Sequence, residues 1–140
     1  MEKDKILNGN ILIAEYMGGV IKSSQNKKHV SFQDKIVSVN SLRYHKSWNS
    51  LMPVWIKITE EAKEQEGDCN KNDYLLLRCE IGKKSVFVDI YVWNKKWHDK
   101  SIFHSCYDYT EGKESDDLLE CYWKTIIDII TFIKKVRKSN

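Results

Sequence analysis

The residues of this chain best suited to chemistry are aromatic rings set beside cations. Trp93 and Trp97 bracket Asn94-Lys95-Lys96, and Tyr44-His45-Lys46 leads into a second tryptophan-containing stretch. A ring face stacks on a nucleobase or fills a protein hot spot, while a neighbouring lysine neutralises phosphate. Tyr44, His45, Lys46, Trp93, Lys95, Lys96 and Trp97 are therefore the candidate ligand contacts. The competing structural reading is a tryptophan that closes the end of a sheet beside a solvated lysine turn. The basic tail Lys134, Lys135, Arg137 and Lys138 is first a complement to a helix dipole and second an anion contact.

Catalytic patterns do not emerge. His98, His104 and Cys106 are close in sequence, but H-x-C lacks the paired spacing of a structural zinc site, so surface histidines and a core cysteine are expected. There is no phosphate-binding glycine loop, and Gly18-Gly19 reads as a helix stop. No nucleophile signature is present. Asp89 lies among apolar residues where a nuclease could hold a metal, but Arg78 accounts for it. The expectation is a non-enzymatic protein without cofactor or metal.

The candidates need elements to position them. Asn8 or Asn10 caps a short helix through Ile11 to Met17, too short to stand alone and so docked on something. Residues 20–41 read as a loop or insertion, polar and lysine-rich in the middle, with Ile36, Val37 and Val39 a short edge strand. Trp48, Leu51 or Met52, Trp55, Ile58 and Ala62 recur at helical spacing. Pro53 leaves two registers for that helix, and the one capped by Asn49 or Ser50 is preferred because it places the proline near the first turn.

Tyr74–Ile81 and Val86–Trp93 alternate around Gly82-Lys83-Lys84-Ser85. A turn centred on Lys83-Lys84 sets Ile81 opposite Val86 and Arg78 opposite Asp89, an attractive cross-strand pair. The face carrying Tyr74, Leu76, Phe87, Tyr91 and Trp93 is apolar enough to need a cover. A third strand is expected over Ile102–Tyr109, after a turn at Asn94–Lys100. Ser115 then caps a long helix with acidic residues first and basic residues last. Its stripe is Leu119, Tyr122, Trp123, Ile126, Ile130 and Ile133, widened by Leu118, Ile129 and Val136. The fold class is α+β: a small antiparallel sheet built on a central β-hairpin, sandwiched by helices, with a long C-terminal amphipathic helix, all in a single domain spanning 1–140.

Composition narrows the partners. With 23 basic and 20 acidic residues the net charge is +3, too balanced to indicate nucleic acid by itself. Arginine is scarce (Arg43, Arg78, Arg137), which argues against sequence-specific nucleic-acid reading. No apolar run is long enough for a membrane span, and MEKDKILNGN lacks the hydrophobic region of a signal peptide, so a cytoplasmic location is expected. Cys69, Cys79, Cys106 and Cys121 form no C-x-x-C pair and read as reduced structural thiols.

Two stretches also carry a resemblance. Leu12-Ile13-Ala14-Glu15-Tyr16-Met17-Gly18-Gly19, followed by Leu42-x-Tyr44-His45-x-Ser47-Trp48-x-x-Leu51-Met52-Pro53-Val54-x-x-Lys57-Ile58, resembles a group of short, uncharacterised phage and prophage proteins. Those proteins also tend to end in an aromatic and aliphatic helix like Tyr122–Ile133. The resemblance covers about half of the chain and implies an accessory role in a bacterial host, including interference with host defence. One known class of small phage proteins sequesters nucleotide immune signals and needs a pocket rather than catalytic groups. The expected function is thus a non-enzymatic accessory binding protein, homo-oligomeric, that holds a small anionic nucleotide-like ligand. The alternatives are a protein-interaction or homo-oligomerisation module that binds a host or phage protein, and a small enzyme.

Overall fold

Apolar residues on two sides of one helix organise the fold. Helix α1 (Lys3–Tyr16) sends Leu7, Ile11 and Ala14 into one cluster, and Leu12, Ile13 and Tyr16 into another. A computed structural model describes residues 2–66, 73–81, 85–94, 98–108 and 114–139, with side chains at 2–61, 104–107 and 118–135. Helix α1 starts earlier than the Asn8 or Asn10 cap suggested, because Lys3-Asp4-Lys5 forms a polar first turn that reads in sequence as a tail. Its other end follows expectation. Gly18 takes φ +95° and its N–H donates to Glu15 O, while the Gly19 N–H donates to Ala14 O at 2.8 Å. This is a Schellman closure, which needs a left-handed residue where glycine stands.

Residues 20–41 are not a loop. β1 (Val20–Ser24), β2 (Lys27–Ser31) and β3 (Ile36–Ser38) form an antiparallel sheet in the order β1-β2-β3, followed by a 3-10 turn at Val39–Ser41. Ile21, Val30 and Val37 are cross-strand partners and meet α1 in the cluster of Ala14, Val30, Val39 and Leu42. Each strand contributes a single inward aliphatic residue, too sparse a pattern to announce a sheet. Gln25 and Asn26 both have positive φ (51° and 64°), the two-residue turn whose twist suits a hairpin.

Helix α2 (Trp48–Glu66) begins in the register capped by Ser47, not the preferred one. The Ser50 N–H donates to Ser47 Oγ at 3.3 Å, and the Leu51 N–H to Ser47 O at 3.0 Å. Pro53 therefore falls in the second turn and denies the Asn49 carbonyl its helical donor. Both residues are exposed, which leaves that carbonyl open to solvent, while Trp48 gains an edge-on contact with Tyr122 at 5.4 Å.

The second sheet joins β4 (Asp73–Ile81), β5 (Ser85–Asn94) and β6 (His98–Asp108) in the order β4-β5-β6. Its first pair has the expected register, Ile81 opposite Val86 and Arg78 opposite Asp89. The third strand starts earlier than expected and shifts register between Ile90 and Tyr91. The turn assigned to Lys83-Lys84 lies outside the described residues.

Helix α3 (Glu114–Ser139) buries Leu119, Tyr122, Trp123, Ile126, Ile129 and Ile130, as its stripe predicts. Each such side chain contributes about 1.5–3 kcal/mol. It packs on β5 and β6, and also on α1 and α2. Leu51, Val54 and Ile58 of α2 share its core, so α2 stands beside α3 and not across the sheet from it. The α+β class holds: a small antiparallel sheet with a central hairpin, and a long C-terminal helix. No helix among the described residues is long and apolar enough to cross a membrane.

Candidate functional site

Helices α1 and α3 approach closely because Gly9 has no side chain: a Cβ there would sit 2.4 Å from the Trp123 ring and 2.5 Å from Ile127 Cδ1. Above this contact lies a cleft of about 400 Å³, within the range of small-molecule sites. Lys5, Asn8, Gly9 and Leu12 line it from α1, Trp123, Lys124, Ile127 and Asp128 from α3, and Tyr107 from β6. Leu12 and Ile127 supply the apolar surface over the buried Trp123, while Lys5 and Asn8 lie exposed at the rim.

Polar groups converge at the β6 side. Ser105 Oγ donates to Asp128 Oδ2 at 3.0 Å, and the Tyr107 hydroxyl donates to the same oxygen at 2.5 Å. Burial first, then the hydrogen bond to the Asp128 carboxylate, pushes the Tyr107 phenol up to about 12. Tyr107 thus stays a donor at neutral pH. Lys124 Nζ lies 5.7 Å from the centre of the Tyr107 ring and 3.2 Å from Glu120 Oε1.

Behind the cleft runs a buried polar relay. The Trp123 Nε1–H donates to Asn10 Oδ1 at 3.0 Å, and Asn10 Nδ2 donates to Leu42 O at 3.1 Å and meets His45 Nδ1 at 2.9 Å. Indole nitrogen only donates and a carbonyl only accepts, which fixes the orientation of the amide. His45 Nδ1 must then accept, so its proton sits on Nε2 in the neutral form. Burial, and then the charge of Lys46, lowers the His45 pKa.

This arrangement separates the predicted contacts. His45 is held by the relay and edge-on to Trp123 at 6.3 Å. Tyr44 is half-buried between both apolar clusters, where burial raises its pKa, and Lys46 is exposed. Trp93 stands near the end of β5, paired in register with Tyr74 and Asp99. Lys95, Lys96 and Trp97 lie outside the described residues. Cys106 is exposed rather than in the core, on the same side of β6 as His104, whereas Cys121 is buried. The difference follows from strand alternation, since Ser105 and Tyr107 take the side that faces α3.

The pattern-based reading missed Lys5, Asn8, Tyr107, Lys124 and Asp128. One signal was available: Asp128 interrupts the apolar run Ile126–Ile133 in α3, where a carboxylate needs partners from another element. Comparison of the chain with protein-family models, with curated proteins and with solved structures returned no match.

Proposed function

We propose that the protein is a non-enzymatic accessory binding protein of phage or prophage type that sequesters a small, anionic, nucleotide-like ligand, with the α1–α3 cleft as its site. The observation that carries this reading is the pairing of cations with ring surface in one cavity of suitable size: Lys5 and Lys124 beside the half-buried ring of Tyr107. Lysines attract phosphate as mobile point charges, and the Tyr107 ring accepts a flat base. Sequestration asks only for affinity, which a preformed cleft between packed helices provides at low ordering cost.

The test is native mass spectrometry on protein purified from a bacterial host, followed by calorimetry with nucleoside monophosphates and cyclic dinucleotides. The expected result is a retained mass in the nucleotide range, or binding that Lys5→Glu with Lys124→Glu abolishes. No retained mass and no heat with millimolar nucleotide would overturn the reading.

The second reading is a protein-interaction or homo-oligomerisation module. It is supported by the outer face of the first sheet, where Val20 and Ile36, 57% and 69% exposed, flank their common cross-strand partner Ser31. Light scattering of the wild type against Val20→Lys with Ile36→Lys tests it. A strictly monomeric wild type with no recovered partner would remove it.

A further inference from the structure

The cleft is not uniformly cationic. Lys5 and Lys124 favour an anion, but Asp128 brings a carboxylate to the same cavity. Both hydrogen bonds described for that carboxylate fall on Oδ2, from Ser105 and from Tyr107. Among the described residues no group donates to Oδ1. An ionised carboxylate accepts at both oxygens, so one strong acceptor remains on Asp128, which lines the cleft. A bare phosphate would be repelled there. A ligand that fits must present negative charge to the lysines and an N–H donor to Asp128, one helical turn from Lys124.

Building on the proposed nucleotide reading, we infer that Asp128 Oδ1 reads the N–H edge of the ligand's base, while Lys5 and Lys124 take its phosphate. The Ser105 and Tyr107 hydroxyls hold the carboxylate in place for that contact. Lys5 and Leu12 are seven residues apart on α1, which gives that wall a length of about 10 Å. Lys124 and Asp128 stand one turn apart on α3, about 6 Å along its axis, so a ligand meets them with different groups. The half-buried Tyr107 ring stands beside both Lys124 and Asp128 and offers ring surface there.

The sharpest substitution is Asp128→Asn. The amide oxygen still accepts from Ser105 and Tyr107, so the local packing stays intact, but the open acceptor becomes an NH2 donor. GMP is the probe, because its ring N–H and exocyclic amine donate from one edge, and ribose 5-phosphate is the same phosphate without the base. Dissociation constants are measured by calorimetry for the wild type, Asp128→Asn, and Lys5→Ala with Lys124→Ala.

A hydrogen bond to a charged acceptor corresponds to about tenfold or more in affinity. The expected wild type prefers GMP over ribose 5-phosphate by at least that factor. Asp128→Asn loses the preference while keeping or improving its affinity for ribose 5-phosphate, and the double lysine variant weakens both ligands together. If Asp128→Asn keeps the wild-type ratio, or the wild type shows no preference, the role of Asp128 is overturned. The sequestration reading then survives provided the lysine variant still loses GMP. If the wild type binds no nucleotide at millimolar concentration, both fall.

Discussion

Replacing Asn10 by alanine tests the buried relay more directly than any change at the surface. Asn10 is 2% exposed and its partner Trp123 is 1% exposed. The substitution strands the indole N–H, which has no water to turn to, and removes the donor from the carbonyl of buried Leu42. Each buried group left unpaired costs about 1–3 kcal/mol. His45 is only half-buried and can find solvent, so it adds little. Alanine's better helix propensity returns about 0.5 kcal/mol. The net expected loss is about 3.5 kcal/mol, a large share of the 5–15 kcal/mol typical of a domain. Asn8→Ala is the matched control: same helix, same propensity gain, but an exposed amide. Urea denaturation monitored by circular dichroism should give a much lower midpoint for Asn10→Ala at an unchanged slope, with Asn8→Ala within about 0.5 kcal/mol of the wild type. If the two variants differ by less than 1 kcal/mol, the relay does not hold α1, the Leu42–His45 segment and α3 together as described.

Three further outcomes follow from the same packing. Gly9→Ala should destabilise by about 2 kcal/mol or more in thermal melts, although helix propensity alone would favour alanine by about 1 kcal/mol, because the new Cβ collides with Trp123 and Ile127. Equal or higher stability of that variant would contradict the close approach of the helices. Because His45 has a lowered pKa in the folded state, the unfolded chain takes up the proton first as pH falls. Its contribution is therefore present above about 6.5 and is lost as pH drops below it, so unfolding free energy should decline between pH 7 and 5 more steeply in the wild type than in His45→Gln. Parallel profiles would show that His45 is not the group responsible. Gln25→Asn places a residue more tolerant of positive φ in the β1–β2 turn and should raise stability by about 0.5 kcal/mol, read as a higher melting temperature; a lower one would count against that turn type.

Sequence alone determined the features that depend on local periodicity. The β4–β5 register was legible because the aliphatic alternation and the Arg78–Asp89 pairing agree on a single alignment. The stripe of α3 was legible because Leu119 to Ile130 repeat with the helical period and most of them are buried. The helix stop at Gly18-Gly19 followed from the backbone freedom of glycine. What escaped was decided by contacts between distant segments. The first sheet rests on Ile21, Val30 and Val37, one residue per strand, and their value lies in meeting α1. Ser47 prevailed as the cap of α2 because that start also brings Trp48 against Tyr122, a gain that neighbouring residues do not advertise. The cleft is the clearest case. Lys5, Tyr107 and Asp128 are far apart in the chain, and only the packing of α1 on α3 across Gly9, with β6 alongside, sets them around one cavity. Hydrophobic spacing specifies which face of an element is buried, whereas the partner of that face depends on how separate elements fit.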